Sequence, residues 1–300
     1  MLKIAWAPEF VLPLPPGHRF PMEKYELLPE QLIHEGTIKE QHLFVPSRKY
    51  DGEISITHEQ HYLTRLQQLQ LTPSEIRKSG FPLTRELVER ECLLANGTIE
   101  AALFALQFGV AGNSAGGTHH AFANRAEGFC LLNDIAVAAN HLVLHQLAQR
   151  ILVIDLDVHQ GNGTAALFNN DDRVFTFSMH GEKNYPLHKE SSDLDIGLPD
   201  GTDDRLYLYH LKHQLPRVID SFTPDFVFYQ AGVDILQTDL LGRLKISRDG
   251  CAERDRFVLQ LCKNYGIPVV ITMGGGYSKN IRDIVESHAN TYRFCQQIFF

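Results

Sequence analysis

The sequence predicts an α/β fold: a single domain in which an open, mostly parallel, twisted β-sheet carries helices on both faces. Short, continuous apolar runs alternate with longer amphipathic stretches, as in parallel sheets whose strands are buried on both sides. No Pro/Gly/Ser-rich linker, charge block or fixed-period repeat divides the 300 residues. We therefore expect residues 1–300 to form one domain.

Apolar runs predict the strands, and amphipathic stretches between them predict the helices. Thr202 or Asp203 is a candidate cap for the third helix and Ser247 for the fourth, because each can accept a hydrogen bond from a free backbone N–H group. Ligands of such folds bind beyond the carboxyl ends of the strands, so residues at those ends are the first candidates for a site. Strands are expected at 2–6, 151–158, 173–179, 225–232 and 267–273, and helices at about 84–108, 131–149, 203–221 and 248–265.

Cysteine usage and hydropathy narrow the class of protein. The 5 cysteines are odd in number and form no CxxC pair, which favours neither a disulfide framework nor a thiolate metal site. The N-terminus lacks a signal-peptide pattern, and no apolar run approaches the roughly 18 residues that span a bilayer. We expect a cytoplasmic protein that does not bind membranes.

The overall charge bears on the partners. A formal net charge of -8 argues against binding to a nucleic-acid backbone and leaves cationic substrates electrostatically acceptable. The GNG at 161–163 lacks the lysine of a phosphate loop, so nucleotide binding is not expected either.

Acidic and imidazole side chains follow the predicted strands where those strands end. In ILVIDLDVHQGNGT, Asp155, Asp157 and His159 are spaced by two, so their side chains can project from one side of an extended chain. FVFYQAGVD presents Asp234 after another strand, and TMGGGYS presents Tyr277 after three glycines. A packed core would not tolerate these polar groups unpaired, so we expect them to share one site.

A pair of adjacent histidines, His119 and His120, lies in the loop GGTHHAFANRAEGFC. Histidine is the side chain whose ordinary pKa falls near neutral pH, so the pair is a candidate for proton transfer, for metal binding or for both. We expect this loop to join the groups at the strand ends.

Three of the strand-end residues form a candidate metal site. Asp157, His159 and Asp234 supply one nitrogen and two carboxylate oxygens, a ligand set suited to Zn²⁺ or Fe²⁺ with one position left for water or substrate. The alternative is structural: Asp155 and Asp157 would cap the next helix, and Asp234 would accept backbone N–H groups in a turn.

The motifs together resemble the zinc-dependent histone deacetylase family. GGTHHAFANRAEGFCLLNDIAVAA, ILVIDLDVHQGNGT, FYQAGVDILQTDLLGRLKIS and TMGGGYS occur in the family's order between about residues 90 and 280. The resemblance implies the arginase/deacetylase-like fold. DVHQGNG and DILQTDLLGRLKIS are most similar to the class IV branch and its bacterial relatives.

The resemblance implies a hydrolytic mechanism. Asp157, His159 and Asp234 would hold Zn²⁺, which polarises an amide carbonyl and activates water. His120 would be the general base, and either His120 or His119 would protonate the leaving amine. The substrate would be an acylated lysine in a protein or peptide, or another acylated amine.

Further roles follow for Tyr277, as a hydrogen-bond donor to the oxyanion, and for Asp155, as the carboxylate that orients His119. The chain departs from the commoner family pattern at two positions. Asn162 stands where most members have an aspartate, and Gln160 replaces a histidine. An amide can hold an imidazole but cannot stabilise its cation, so we expect His120 to be more readily neutral.

The resemblance also implies a narrow acyl-lysine tunnel and a monovalent cation site. Gly128 and Phe129 would line one wall of the tunnel and Tyr185 the facing wall, while Arg19 would lie near the floor of the active site and assist release of acetate. A structural K⁺ ion would be held by Asp155, Asp157, His159, Ser178 and Met179.

Two other functions remain open. A dimetal ureohydrolase on the same fold would need further aspartates to bridge a second ion, and Gln160, Asn162 and Val233 do not provide them. A non-catalytic acyl-lysine binding protein would retain the fold without the chemistry. Within the favoured chemistry, an acetyl-polyamine or other small acyl-amine is an alternative substrate.

Overall fold

A computed structural model describes residues 1–300. One eight-stranded sheet forms the centre of the molecule, and every neighbouring pair of its strands is parallel. The strand order is β2-β1-β3-β8-β7-β4-β5-β6. The predicted α/β class is therefore confirmed, with a wholly parallel sheet. The strands are β1 (Lys3–Ala5), β2 (Leu43–Phe44), β3 (Val110–Asn113), β4 (Ile151–Asp155), β5 (Val174–Gly181), β6 (Leu194–Leu198), β7 (Phe226–Gln230) and β8 (Val269–Thr272).

Ten α-helices pack around this sheet. No helix combines the length and the apolar character needed to cross a membrane. The helices are α1 (Lys24–His34), α2 (Ile54–Thr57), α3 (Gln60–Gln67), α4 (Pro73–Ser79), α5 (Arg85–Phe108), α6 (Asp134–Leu144), α7 (Asn162–Phe168), α8 (Asp204–Phe222), α9 (Arg248–Tyr265) and α10 (Ile281–Phe299).

The core is split between the two faces of the sheet. In β4, Leu152 and Ile154 pack into one apolar cluster with α8, α9 and α10, whereas Ile151 and Val153 pack into another with α5 and α6. Side chains of a strand alternate between faces, so a continuous apolar run supplies both clusters. This burial on both sides explains why the central strands read as uninterrupted apolar runs.

Most predicted elements are confirmed, and the differences have local causes. Asp203 caps α8 and Ser247 caps α9, each by accepting a backbone N–H. The predicted helix at 131–149 is shorter, because Asn133 accepts the N–H of Ala136 and starts α6 there. β3 was not predicted, because its four residues VAGN contain only small or polar side chains after the valine.

A buried arginine holds together the two strand ends that carry the site. Arg254 of α9 is fully buried and donates to the carbonyl oxygens of Gly232, at 2.6 Å, and Leu156, at 3.2 Å. The first of these carbonyls lies two residues after β7, and the second lies one residue after β4. Asp255 balances the guanidinium charge at 2.8 Å. The backbone on either side of the candidate metal ligands is thus tied to one rigid helix.

Candidate active site

The structure brings the three predicted metal ligands together at the carboxyl edge of the sheet. The ligand atoms of Asp157, His159 and Asp234 all lie within 4.8 Å of one another, and all three residues are buried. Nδ1 of His159 is 3.1 Å from Oδ1 of Asp157 and 3.0 Å from Oδ2 of Asp234. Because β4 and β7 are adjacent in the sheet, the loops that follow them meet at this point.

Backbone donors aim both carboxylates. The N–H of Gly275 donates to Oδ2 of Asp157 at 2.7 Å, and the N–H of Val158 donates to Oδ1 of Asp234 at 2.9 Å. In each case the other carboxylate oxygen faces His159. The helix-capping alternative for the aspartates is not what the structure shows, because the N-cap residue of α7 is Gly161 and no side chain caps this helix.

Gly275 must be a glycine for steric reasons. A Cβ atom at this position would collide with the carboxylate of Asp234 and come within 2.9 Å of Oδ2 of Asp157. The triple glycine that precedes Tyr277 therefore serves close approach of the backbone to the metal ligands.

The donor set is short of positive charge. Burial, and then repulsion by Asp157, raises the pKa of Asp234 to about 7. Two buried carboxylates beside one imidazole are the arrangement that a divalent cation stabilises, and one nitrogen with two oxygens suits Zn²⁺ or Fe²⁺. The residues present therefore fit the ion that the sequence predicted.

The two histidines of the pair have different partners. Nδ1 of His119 donates to Oδ2 of Asp155 at 2.7 Å, and Nδ1 of His120 donates to Oδ1 of Asn162 at 2.6 Å. Their ring centroids are 4.1 Å apart, and His120 lies 6.0 Å from His159 by the same measure. The structure therefore brings both histidines beside the candidate metal ligands.

Charge separates the two imidazoles as well. Burial disfavours the cation of His119, but Asp155 and Asp157 outweigh it and raise the pKa of His119 to about 9. Burial, with repulsion from His119 and His159, lowers the pKa of His120 well below its usual value. One buried histidine thus holds a proton near neutral pH while its neighbour is free to accept one.

The loop that carries the histidines is fixed by α6 and β7. The carboxylate of Asp134, the first residue of α6, accepts the backbone N–H groups of Gly117 at 3.0 Å and Thr118 at 2.7 Å. The amide nitrogen of Gln230 donates to the carbonyl of Gly117 at 2.8 Å. These bonds set the position of His119 and His120 from buried, rigid elements.

Tyr277 also lies beside the candidate metal ligands. Its ring centroid is 6.4 Å from that of His159, and its backbone N–H donates to Asp239 at 2.6 Å. Burial, followed by the charges of Asp234 and Asp157, raises the pKa of the Tyr277 hydroxyl well above its usual value. The phenol is therefore a donor throughout the ordinary pH range.

The predicted tunnel residues line a common opening. Gly128, Phe129 and Tyr185 all border an open outer cavity of about 670 Å³, which reaches His120 and Tyr277. Phe129 has a φ of 66°, a strained left-handed conformation, and its N–H is held by the carbonyl of Ser79 at 2.7 Å. Behind this opening, an inner cavity of about 30 Å³ is lined by Phe129, Tyr277 and the two histidines among others.

Glu127 and Lys24 belong to the site but were not predicted. Oε1 of Glu127 accepts from the amide of Asn162 at 3.0 Å and from the hydroxyl of Tyr185 at 2.6 Å. The buried Nζ of Lys24 donates to the carbonyl of Gly274 at 3.0 Å, and burial lowers the pKa of Lys24 to about 8. No local motif marks either residue, because both contacts join distant parts of the chain.

Arg19 does not lie where the sequence predicted. Its side chain is exposed at the outer cavity, so the expected position near the floor of the site is wrong. The inner cavity is bordered instead by Arg90, a buried residue whose guanidinium donates to the carbonyl of Phe10 at 2.8 Å and pairs with Glu91.

The residues expected to hold a monovalent cation are only partly adjacent. Strand register places Ser178 of β5 beside Asp155 of β4. The hydroxyl of Ser178 makes a 2.9 Å hydrogen bond with Nδ1 of His180, and Met179 is buried in the apolar cluster beneath α8. The K⁺ site therefore stays a prediction from the resemblance.

Comparisons with known proteins agree with this geometry. A family model described as "Histone deacetylase domain" matches residues 18–292. An uncharacterised protein of Picosynechococcus sp. is 44% identical over 99% of this chain and 99% of its own length. Histone deacetylase 2 of Arabidopsis thaliana is 32% identical over 92% of this chain and 74% of its own length. A crystal structure of an HDAC homolog complexed with SAHA is 25% identical and has a TM-score of 0.83. That match covers 97% of this chain and 82% of the homolog.

Proposed function

The chain belongs to the histone deacetylase family, and from that premise we propose that it is a zinc-dependent hydrolase that removes an acetyl group from the side-chain nitrogen of lysine. The observation that carries the proposal is the buried cluster of Asp157, His159 and Asp234, whose first two members line the same inner cavity as the histidine pair. Two backbone N–H groups already orient its carboxylates.

Asp157, His159 and Asp234 would hold the metal. When bound, Zn²⁺ supplies a Lewis acid that polarises an acyl carbonyl and lowers the pKa of water. The protein's part is to hold three ligands in a fixed arrangement and to leave the side facing His120 open to substrate. The hydrogen bonds to Val158 and Gly275 serve that purpose, since they fix the carboxylates from behind.

His120 would remove the proton from the attacking water. Its Nδ1 donates to Asn162, so the neutral ring keeps its lone pair on Nε2. The lowered pKa of His120 keeps this nitrogen unprotonated at neutral pH. His119, held protonated by Asp155, would contribute positive charge, and His119 or His120 would return a proton to the leaving amine.

Tyr277 would donate its hydroxyl hydrogen to the carbonyl oxygen as negative charge develops there. Its ring borders both the inner and the outer cavity, so a substrate that passes from one to the other meets this residue. The raised pKa of the phenol supports a role as a permanent donor.

The cavities support a lysine-like substrate with a short acyl group. The outer cavity and the inner cavity of about 30 Å³ share the walls formed by Gly128, Phe129 and Tyr277, and the inner one has room only for a small group such as the methyl of an acetyl. An acetylated polyamine would fit the same passage and is the alternative substrate.

We propose a cytoplasmic location, which is consistent with five free, buried cysteines. We also propose a structural K⁺ ion beside Asp155 and Ser178.

The test is an assay of zinc-loaded and iron-loaded protein on a panel of acetyl-, butyryl- and hexanoyl-lysine peptides and acetylated polyamines. We expect turnover of acetyl-lysine, a sharp fall with chain length, and inhibition by SAHA. Metal binding without turnover of any substrate would favour the non-catalytic acyl-lysine binding protein instead. A matched Tyr277→Phe variant controls for contaminating hydrolases, because it should bind metal and lack most of the activity.

A further inference from the structure

The mouth of the site carries an excess of positive charge. We use "mouth" for the outer cavity of about 670 Å³ in front of the candidate metal ligands. Glu127 is its single carboxylate, and that carboxylate already accepts hydrogen bonds from Asn162 and Tyr185. The cations that line the mouth are Arg19, Arg77, Lys78, Lys183 and Arg243.

These cations converge from different parts of the chain and are largely unpaired. Arg19 precedes α1, and Arg77 and Lys78 lie in the last turn of α4. Lys183 follows β5, and Arg243 lies in the segment between β7 and α9. Only Arg243 has a carboxylate within ion-pair distance, Asp200 at 3.3 Å, and both of those side chains are more than a third exposed. The positions of Arg77 and Lys78 have a local explanation, because positive charge is favourable at the C-terminus of a helix. The other three cations have no such explanation.

The sign of this local charge is opposite to that of the whole molecule. The chain has a formal net charge of -8, from which cationic substrates were expected to be acceptable. A substrate at the mouth meets five cationic side chains and one carboxylate instead. Charges at a cleft act through the weakly screened space of that cleft, so the local field governs approach and orientation.

We propose that the mouth selects acyl-lysine segments whose flanking residues are aspartate or glutamate. This rests on the proposed deacetylase function and deepens it by naming the class of substrate. Carboxylates on either side of the acylated lysine would lie among the cations while its alkyl chain enters between Phe129 and Tyr185. Lysine-rich tails and acetylated polyamines would be repelled.

An apolar element favours a peptide over a nucleic acid at the same place. Leu187 lines the mouth and is 87% exposed, and Leu241 lies beside it in the cavity wall. A peptide covers such leucines with its own side chains, whereas a phosphate backbone leaves them in water. The negative charge on the rest of the molecule also opposes a long polyanion.

The test compares three peptides that differ only in the residues flanking one acetyl-lysine, which are glutamate, glutamine or lysine. We expect kcat/KM to fall in that order, with roughly a tenfold or larger span between the first and last peptides at low salt that shrinks at high salt. Binding of the same peptides carrying a non-hydrolysable lysine analogue, measured by fluorescence anisotropy, should follow the same order.

Charge reversal assigns the effect to the mouth. Lys183→Glu and Arg77→Glu together leave three cations and three carboxylates at the mouth, so the preference for the acidic peptide should be lost. Arg217→Glu, an exposed position on α8 outside the mouth, should leave the preference unchanged. Equal turnover of all three peptides by the wild-type protein would overturn this inference and leave the proposed deacetylase function standing. Displacement of the acidic peptide by a short oligonucleotide at equal or lower concentration would do the same. No turnover of any peptide would contradict the proposed function itself, while the anisotropy order would still test the mouth.

A second cluster, remote from the active site, has the composition of a metal site. His141 and His145 lie one turn apart at the end of α6, and Glu53 precedes α2. The carboxylate oxygens of Glu53 are 2.6 Å from Nδ1 of His141 and 3.1 Å from Nε2 of His145. Ligand atoms from the three residues all lie within 4.8 Å of one another, as they do in the active site.

We infer that Glu53, His141 and His145 bind a divalent transition metal and so fasten the segment before α2 to α6. Two imidazoles at i and i+4 of a helix with one carboxylate form a set suited to Zn²⁺. His141 is buried against the ring of Tyr50, whereas His145 is exposed and leaves access for the ion and for water.

The test is zinc content after dialysis against a buffered low-micromolar zinc solution. We expect about two ions per wild-type chain and about one in His145→Ala, with deacetylation unchanged and a lower melting temperature in zinc. His34→Ala, at an exposed histidine of α1, is the matched control and should retain both ions. Equal zinc content in wild type and His145→Ala would overturn the site, whatever the activity of the enzyme.

Discussion

Nδ1 of His120 lies 2.6 Å from the amide oxygen of Asn162, and no carboxylate takes that position. The nearest acid in this direction is Glu127, which accepts from the same amide at 3.0 Å and so stands one hydrogen bond further from the ring. A neutral amide orients the imidazole without stabilising its cation. The imidazole that we propose as general base is therefore held in place and left uncharged.

Replacing Asn162 by aspartate should shift the acidic limb of the pH-rate profile. The new carboxylate would stabilise the His120 cation and raise the pKa of His120, so the base would be lost at a higher pH. We expect the acidic limb of kcat/KM to move upward by about one pH unit or more. Asn169→Asp, at an exposed position after α7, should leave the profile unchanged. An unmoved limb in Asn162→Asp would show that Asn162 does not control the base.

Asp155→Asn should affect the protonated partner of the pair. Burial alone would lower the pKa of His119, and Asp155 is the first of the charges that raise it to about 9. Without that charge His119 loses its proton at a lower pH, so the alkaline limb of kcat should move downward. We expect zinc content to stay near the wild-type value, measured on the same samples. If the alkaline limb keeps its position, His119 is not required as a cation.

Tyr277→Phe should remove transition-state stabilisation with little other effect. Burial and nearby carboxylates raise the pKa of the phenol, and no side-chain hydrogen bond contributes to that shift. The hydrogen bond from the backbone N–H of Tyr277 to Asp239 is retained in the variant. We expect kcat to fall by about 10²- to 10³-fold, with KM and the free energy of unfolding nearly unchanged. A rise in KM with an unchanged kcat would instead assign Tyr277 to substrate binding.

Arg254→Met should destabilise the fold that supports the site. It would leave Asp255 buried without its partner and the carbonyls of Leu156 and Gly232 without a donor. We expect a loss of about 3–5 kcal/mol in the free energy of unfolding, measured with urea. Arg256→Met, an exposed neighbour on α9, should cost less than about 1 kcal/mol. Similar values for the two variants would contradict the role of the buried ion pair.

The convergence of the candidate metal ligands was predictable because their position follows from the geometry of a parallel sheet. Asp157 and Asp234 lie within four residues of the ends of two strands that read as continuous apolar runs, and such strands end at one edge of the sheet. β3 was not predicted, since VAGN lacks a hydrophobic signal, yet this strand leads into the loop of His119 and His120. The histidine pair was therefore identified from the chemistry of its side chains and not from a predicted strand before it.

Residues that act through contacts distant in sequence were missed. Glu127 reaches Asn162 across 35 positions, and Lys24 reaches Gly274 across 250. No periodicity or motif encodes such pairs. The charge of the mouth was missed for the same reason, because Arg19, Lys183 and Arg243 are isolated in the sequence and converge only in the fold. The net charge of the whole chain is negative, which is opposite to the sign of the charge at the mouth.

We propose that Asp157, His159 and Asp234 hold a single catalytic zinc ion, and zinc content measured together with acetyl-lysine hydrolysis in His159→Ala tests this directly. To count this ion alone, both chains are compared in a His145→Ala background. We predict about one zinc ion per chain and full turnover in the parent, and loss of both together in the variant that also lacks His159. Retention of zinc with wild-type turnover after removal of His159 would contradict the account.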